Sequence, residues 1–388
     1  MTLVKSWVEI SGSRLMENLR AVQAAASAGV ETLAVVKANA YGHGAAGVGR
    51  ALVAGGARWL GVNDIEEGTE LRRALGEDST RLLVMCGMDL ADAPEIVAHG
   101  LTPVVWTAEH VDAMESAARD AGHRVKVHLE LETGMARQGA ALGAELASVL
   151  ERLGGSKWVE CEGVMSHLAC SEVVGSTVTL AQQERFAQAL DQVAAAGIRP
   201  ELVHLGNSSA VAEGSTMEWL RETALRMKAK PMVRTVLSLY GYCLEMEGAK
   251  VAEGKLRSRL RPVLTWKTRV TGLRELAAGA TVGYGATFTA SHPMRLALLP
   301  VGYADGFRRE ASSSDGHGWV MIAARRAPVV GRVSMNLTTV DVTAIPEAAL
   351  GSEVVLLGEG VTAEDHARWC GTIAYEILCG IRAHFVML

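Results

Sequence analysis

An amine at the close of an apolar run is a latent nucleophile, and Lys37 sits in such a run: Leu33-Ala-Val-Val-Lys-Ala-Asn-Ala-Tyr-Gly-His-Gly44. Poor hydration disfavours the ammonium form, so part of a lysine held there is neutral and able to attack a carbonyl. That is the state an amine needs to form a Schiff base with an aldehyde cofactor. Other chemistry-bearing side chains recur after later apolar runs. Arg137 lies in Thr133-Gly-Met-Ala-Arg-Gln-Gly139 and His167 in Met165-Ser-His-Leu-Ala169. His204, Asn207 and Ser208 lie in His204-Leu-Gly-Asn-Ser-Ser-Ala210, and Arg234 ends a further run. Together they offer guanidinium, imidazole, amide and hydroxyl groups, a set able to bind polar ligands and move protons.

The elements that must position these groups alternate. β-rich runs at 32–37, 59–63, 81–86, 101–106, 124–131, 159–166, 201–205 and 231–234 are separated by stretches with helical apolar spacing, as at 13–26 and 182–195. Eight such alternations predict a TIM (β/α)8 barrel over residues 1–245; a doubly wound sheet is the other architecture the pattern allows. In a barrel each candidate residue falls at the C-terminal end of a strand, the rim where such folds place their active sites. Beyond 246 the texture changes. Runs at 263–270, 296–300, 319–322, 327–333, 338–342 and 353–357 are punctuated by Gly and Pro, which predicts an all-β domain over 246–388. The boundary falls in the polar stretch 247–260, and one helix over 363–378 closes the chain.

Composition narrows the classes. The chain has 388 residues, 49% hydrophobic and 21% charged, with a net charge of −5, which supports a sizeable core. It carries no basic block for nucleic acid and no apolar run of about 18 residues for a membrane. The N-terminus lacks the apolar core of a signal peptide, so a cytoplasmic location is expected. Six cysteines without a Cys-x-x-Cys pair read as reduced thiols, and no metal site is expected.

The Lys37 run and the rim segments closely resemble the alanine racemase family. So do Gly283-Tyr-Gly-Ala-Thr-Phe-Thr-Ala290, Val301-Gly-Tyr-Ala-Asp-Gly306, Gly331-Arg-Val-Ser-Met335 and Tyr375-Glu-Ile-Leu-Cys-Gly380. The resemblance implies pyridoxal 5'-phosphate, two-base racemisation of alanine feeding peptidoglycan synthesis, and a homodimer with shared active sites. It also implies a β domain that takes in the first residues of the chain. Lys37 resembles the lysine that carries the cofactor, and Tyr284 the opposing base, supplied by the partner subunit. A tyrosine's reference pKa of about 10 is high for such a base, so Arg137 and, through a network, His204 are expected to support its anion. Arg234 resembles the arginine facing the pyridine nitrogen, and His167 the histidine that orients it. Tyr41, Ser208 and Tyr375 match phosphate ligands, with Asn207 beside them. Arg137 and the backbone N–H of the partner's Met335 match the carboxylate site. Tyr303, Arg309 and Arg332 match a narrow substrate corridor.

The chain also departs from the family pattern. Glu130 stands where many members carry a carbamylated lysine, and is expected to give Arg137 an anionic partner. Asn336 lacks the charge of the commoner aspartate. Val236 replaces a small glycine in the turn after Arg234, and a β-branched residue resists a positive φ. Residues 211–230 are longer than usual, with an extra helix predicted over 217–228. These departures leave a broad-specificity or serine-type racemase as the alternative activity. A non-catalytic pyridoxal-phosphate-binding barrel would lack the second domain and Tyr284.

Overall fold

The computed structural model describes residues 4–76, 78–248, 256–312 and 318–388. Part of the expected boundary, 249–255, lies outside the described residues. The chain divides into two compact units: Ser13–Ala40 with Ala45–Arg261, and Met1–Gly12 with Tyr41–Gly44 and Pro262–Leu388.

The larger unit is the barrel. Its strands are β1 (Glu31–Val35), β2 (Trp59–Val62), β3 (Arg81–Val84), β4 (Thr102–Val105), β5 (Val125–Glu132), β6 (Val159–Met165), β7 (Leu202–His204) and β8 (Lys230–Thr235). Each pairs in parallel with its neighbours in chain order, β8 pairs with β1, and Val104 of β4 meets His128 of β5, which closes the ring. These strands are short, β-branched and buried on both faces, as parallel strands covered by helices must be. Local signals stop and start the helices. Asp64 caps Ile65–Leu75 by accepting from the Glu67 N–H, with acids in its first turn and arginines in its last. Thr107 caps Ala108–Ala121, which ends on Gly122 at φ 74°. The extra helix predicted at 217–228 is present as Ser215–Arg226.

The smaller unit is built on antiparallel sheets. A six-stranded sheet runs Arg325–Pro328, Trp319–Ile322, Glu353–Leu357, Leu264–Arg269, Ser6–Ile10 and His384–Met387. Ser6–Ile10 thus sits between Leu264–Arg269 and the parallel strand His384–Met387. A three-stranded sheet joins Gly272–Leu276, Met294–Leu299 and Thr338–Asp341. The single closing helix predicted at 363–378 is instead two, Ala363–Cys370 and Ala374–Cys379, and a strand ends the chain. Gly371, at φ 62°, accounts for the break: it takes the left-handed conformation that ends a helix cheaply only in glycine. Among the described residues no helix is long and apolar enough to cross a membrane.

Candidate active site

Lys37 does not end β1, as the sequence predicts; the strand stops at Val35. Lys37 opens a single turn, Lys37–Gly42, in which Ala38, Asn39, Ala40 and Tyr41 all have φ between 51° and 54°. This is a left-handed helical turn in L-residues. Each such residue costs roughly 1–2 kcal/mol from the Cβ–carbonyl clash, so the turn persists only because its surroundings hold it. Within the barrel unit, Glu67 Oε1 accepts from the Ala38 N–H at 2.7 Å and its other oxygen takes the Asn63 N–H at 2.8 Å. Asn39 Oδ1 accepts from the Ala45 N–H at 2.8 Å, and Tyr240, fully buried, donates to the Val35 carbonyl at 2.8 Å. Lys37 itself is half-buried.

Arg234, 3% exposed, is the fixed centre of the rim. Its Nη2 donates to the Ser166 carbonyl at 2.7 Å and lies 3.0 Å from His167 Nδ1. Its Nη1 lies 3.2 Å from His204 Nδ1 and 3.3 Å from the His204 carbonyl. A guanidinium only donates, so both histidines present Nδ1 as acceptor. Burial pushes Arg234 down to about 10, still charged at neutral pH, with Glu130 pulling it back up. Burial pushes the His167 imidazole down to about 3, reinforced by the charges of Arg234, Arg137 and Lys37, so His167 is neutral. His204 is likewise held neutral by burial, with His128 and Arg234 adding to the effect. The structure thus puts His204 on Arg234, at the guanidinium edge.

The loop carrying Arg137 is heavily tied down while Arg137 itself is exposed. Ser166 Oγ bonds Thr133 Oγ1 at 2.7 Å, and Arg185 donates to the Thr133 carbonyl at 3.0 Å. Gln182 donates to the Thr133 hydroxyl and to the His167 carbonyl. Glu130 is buried; its hydrogen bond comes from the Gln138 amide, which also donates to the Met85 carbonyl at 2.8 Å. Glu130, expected to give Arg137 an anionic partner, is held by the next residue along, and Arg137 acts on it through its charge. Burial pushes the Glu130 carboxyl up, opposed by Gln138, Arg234 and Arg137. Gln138 and Glu67 are positioning residues that sequence reading missed. Only a glutamate or glutamine close to a special turn hinted at them.

Asn207 works as a cap: its side chain accepts from the Ala210 N–H at 3.1 Å and donates to Ser171 Oγ at 2.8 Å. Ser208 Oγ accepts from the Val236 N–H at 2.8 Å. Val236 has φ −127°, so the turn after Arg234 needs no positive φ and tolerates a β-branched residue.

In the smaller unit, Tyr284 is 71% exposed and flanked by Gly283 and Gly285, both at φ 75°. At Gly285 a Cβ would fall 3.1 Å from Arg332 Nη1, a tight contact on top of a positive φ that disfavours a side chain. Tyr303 and Met335 are held side by side: the Tyr303 N–H donates to the Ser334 carbonyl at 3.1 Å and the Ala304 N–H to that of Met335 at 2.9 Å. This approach demands Gly302, whose Cβ would fall 2.1 Å from the Ser334 oxygen. The rings of Tyr41 and Tyr375 are 5.7 Å apart, and Arg309, Arg332, Met335 and Asn336 are exposed.

Known proteins with these features converge. The family model described as the N-terminal domain of alanine racemase matches residues 10–227, and that of the C-terminal domain matches 263–387. An alanine racemase of Syntrophobacter fumaroxidans is 37% identical over 385 residues, 98% of this chain and 96% of that protein. One from Symbiobacterium thermophilum is 36% identical, covering 97% of this chain and 94% of that protein. Among solved structures, the alanine racemase of Streptomyces coelicolor superposes with a TM-score of 0.87 at 31% identity, covering 98% of each chain. That of Bartonella henselae, described with covalently bound pyridoxal phosphate, gives a TM-score of 0.82 at 25% identity over all of both chains. With both domains matched and the lysine turn, arginine rim and glycine-flanked tyrosine all present, the chain belongs to the alanine racemase family.

Proposed function

We propose that the protein interconverts L- and D-alanine with pyridoxal 5'-phosphate, as a cytoplasmic homodimer with shared active sites that feeds peptidoglycan synthesis. The observation that carries this reading is the barrel rim, where the buried Arg234 is fixed by the Ser166 carbonyl and by Nδ1 of His167 and of His204, on the barrel unit that also holds Lys37 in its left-handed turn. Family membership supports the choice of substrate.

The donor set fits the cofactor. Lys37 offers an amine for an aldehyde. Both Arg234 Nη atoms are taken by His204, Ser166 and His167, which leaves the Nε–H as the donor edge toward a ring nitrogen. Tyr41, Ser208 and Tyr375 bring hydroxyls for a phosphate, and Asn207 braces Ser208 by capping its helix. When bound, the cofactor supplies an electron sink for the charge left at Cα by proton removal. Inversion then needs a proton-accepting group on one face and a proton-donating group on the other. Lys37 Nζ serves one face and Tyr284 Oη of the partner subunit the other. Arg137 and the N–H of the partner's Met335 hold the carboxylate, a task that a guanidinium fork suits. Arg234 keeps its proton, so it would donate to a ring nitrogen held there without protonating it. Tyr303, Arg309 and Arg332 narrow the approach, which favours a small side chain.

The test is racemisation of every L-amino acid by the purified holoenzyme, read by chiral chromatography. Alanine should lead, serine should trail, and lysine and arginine should be negligible, since one methylene without room costs about 1–3 kcal/mol. Comparable kcat/KM for alanine and arginine would overturn alanine selectivity, and no racemisation would overturn the function.

A further inference from the structure

Beneath Arg234 lies a buried polar chain to which the mechanism above gives no task. His204 Nε2 is 2.9 Å from His128 Nδ1, and both residues are 0% exposed. His128 Nε2 in turn faces Glu162 Oε2 at 3.6 Å. Glu162 takes hydrogen bonds from Arg81 at 2.6 and 2.7 Å and from Lys126 at 2.9 Å, at the opposite mouth of the barrel. Two backbone features build this chain deliberately. Glu162 is the extra residue of a bulge: Val127 pairs with Cys161, but His128 pairs with Gly163. Bulges re-aim a side chain. Gly163 then leaves the slot for the imidazole, since a Cβ there would fall 2.6 Å from His128 Nδ1.

The donor pattern is fixed from the Arg234 end and favoured by the carboxylate at the other. Arg234 only donates, so His204 Nδ1 accepts and its Nε2 carries the proton. That proton points at His128 Nδ1, which accepts, so His128 carries its own proton on Nε2, toward the carboxylate. Hydrogen bonds from Arg81 and Lys126, with His128 Nε2 facing it at 3.6 Å, outweigh burial and hold Glu162 down at about 2, so it is an anion. Burial holds His128 below its ordinary range, and therefore neutral. Two buried imidazoles and a carboxylate are costly in a barrel interior, and here the imidazoles bond each other while His128 Nε2, without a hydrogen bond of its own, is held against the Glu162 anion at 3.6 Å.

We propose that Glu162 and His128 are positioning residues that act through His204, setting the tautomer that locks the Arg234 guanidinium from the far end of the barrel. A reversed His204 would turn an N–H against the guanidinium and free one of its anchored edges. The catalytic consequence rests on the reading that Arg234 faces the cofactor ring; the hydrogen-bonding sense does not.

Two measurements on the holoenzyme test this. Nitrogen-15 NMR of histidine-labelled protein at pH 7 should find His128 and His204 neutral and protonated on Nε2. A cationic imidazole or an Nδ1–H tautomer at either would overturn the proposal, whether or not the enzyme racemises alanine. In kinetics, His128→Leu should lower kcat about tenfold with KM changed less than about twofold, and His128→Gln, which can still accept and donate, should recover most of it. In an Arg234→Lys background His128→Leu should add little, because the two act as one unit. Full additivity would reduce His128 to a packing role and overturn the proposal. Should His128→Leu fail to fold, Glu162→Gln, which keeps the shape and removes the anion, should lower kcat about threefold; an unchanged kcat would overturn it.

Discussion

Single residues here act mostly through the neighbours that aim them. Glu130 illustrates this: it is a buried carboxyl whose bond goes to Gln138, and Gln138 in turn ties the Arg137 loop to the Met85 carbonyl. Glu130→Ala should leave Gln138 half-anchored and let Arg137 drift, lowering kcat/KM about tenfold, or roughly 1.4 kcal/mol. Glu130→Lys should regain activity when bicarbonate is added, as a carbamate restores the anion, whereas the natural enzyme should ignore bicarbonate. A wild-type-like Glu130→Ala enzyme would show that the carboxyl has no such role. The same lesson separates what was legible at this scale. Lys37, Arg137, His167 and Arg234 stand out because a charged or titratable group follows an apolar run. Gln138 and Glu67 do not, because their partners are backbone atoms and turns that no residue pattern announces. His128 was hidden for another reason. Lys126, His128 and Glu130 alternate along β5 like the wet face of an amphipathic strand, and only closure of the barrel turns that face inward.

The element that matters most is the left-handed turn Lys37–Gly42. The eight strands and most helices were legible because β-rich runs alternate with amphipathic stretches. The turn was not, since Ala-Asn-Ala-Tyr contains no glycine and such residues adopt positive φ only under tertiary constraint. Gly42 closes it at φ 76°, and a Cβ there would fall 2.1 Å from the Leu378 carbonyl oxygen within the same unit. Gly29 has a similar φ of 84° but nothing within 4 Å. Gly29→Ala should therefore cost only the backbone penalty, about 1–2 kcal/mol. Gly42→Ala adds a collision with backbone and should cost distinctly more, seen as a larger drop in thermal unfolding temperature and weaker retention of the cofactor. Equal losses for the two variants would contradict the close packing of the turn. The split of the closing helix at Gly371 was missed for a simpler reason: the periodicity of its apolar residues continues across a glycine that ends the hydrogen bonding.

At the scale of the molecule, Lys37 belongs to the barrel unit and Tyr284 to the β unit, and the proposed function joins them across two subunits. Inactive Lys37→Ala and Tyr284→Phe chains, mixed under conditions that allow exchange, should then regain part of the activity, because one site of each heterodimer receives both groups. No recovery despite proven exchange would argue for a site built within one chain. The central claim is that two different groups carry the proton on the two faces of Cα. Incubating the holoenzyme with L-alanine in deuterium oxide and analysing the first-formed product by mass spectrometry tests it most directly. The D-alanine should carry a solvent deuteron at Cα from the earliest turnovers, while unreacted L-alanine stays largely protiated. D-alanine that retains the original proton would mean that one group moves it across both faces, and would contradict the account.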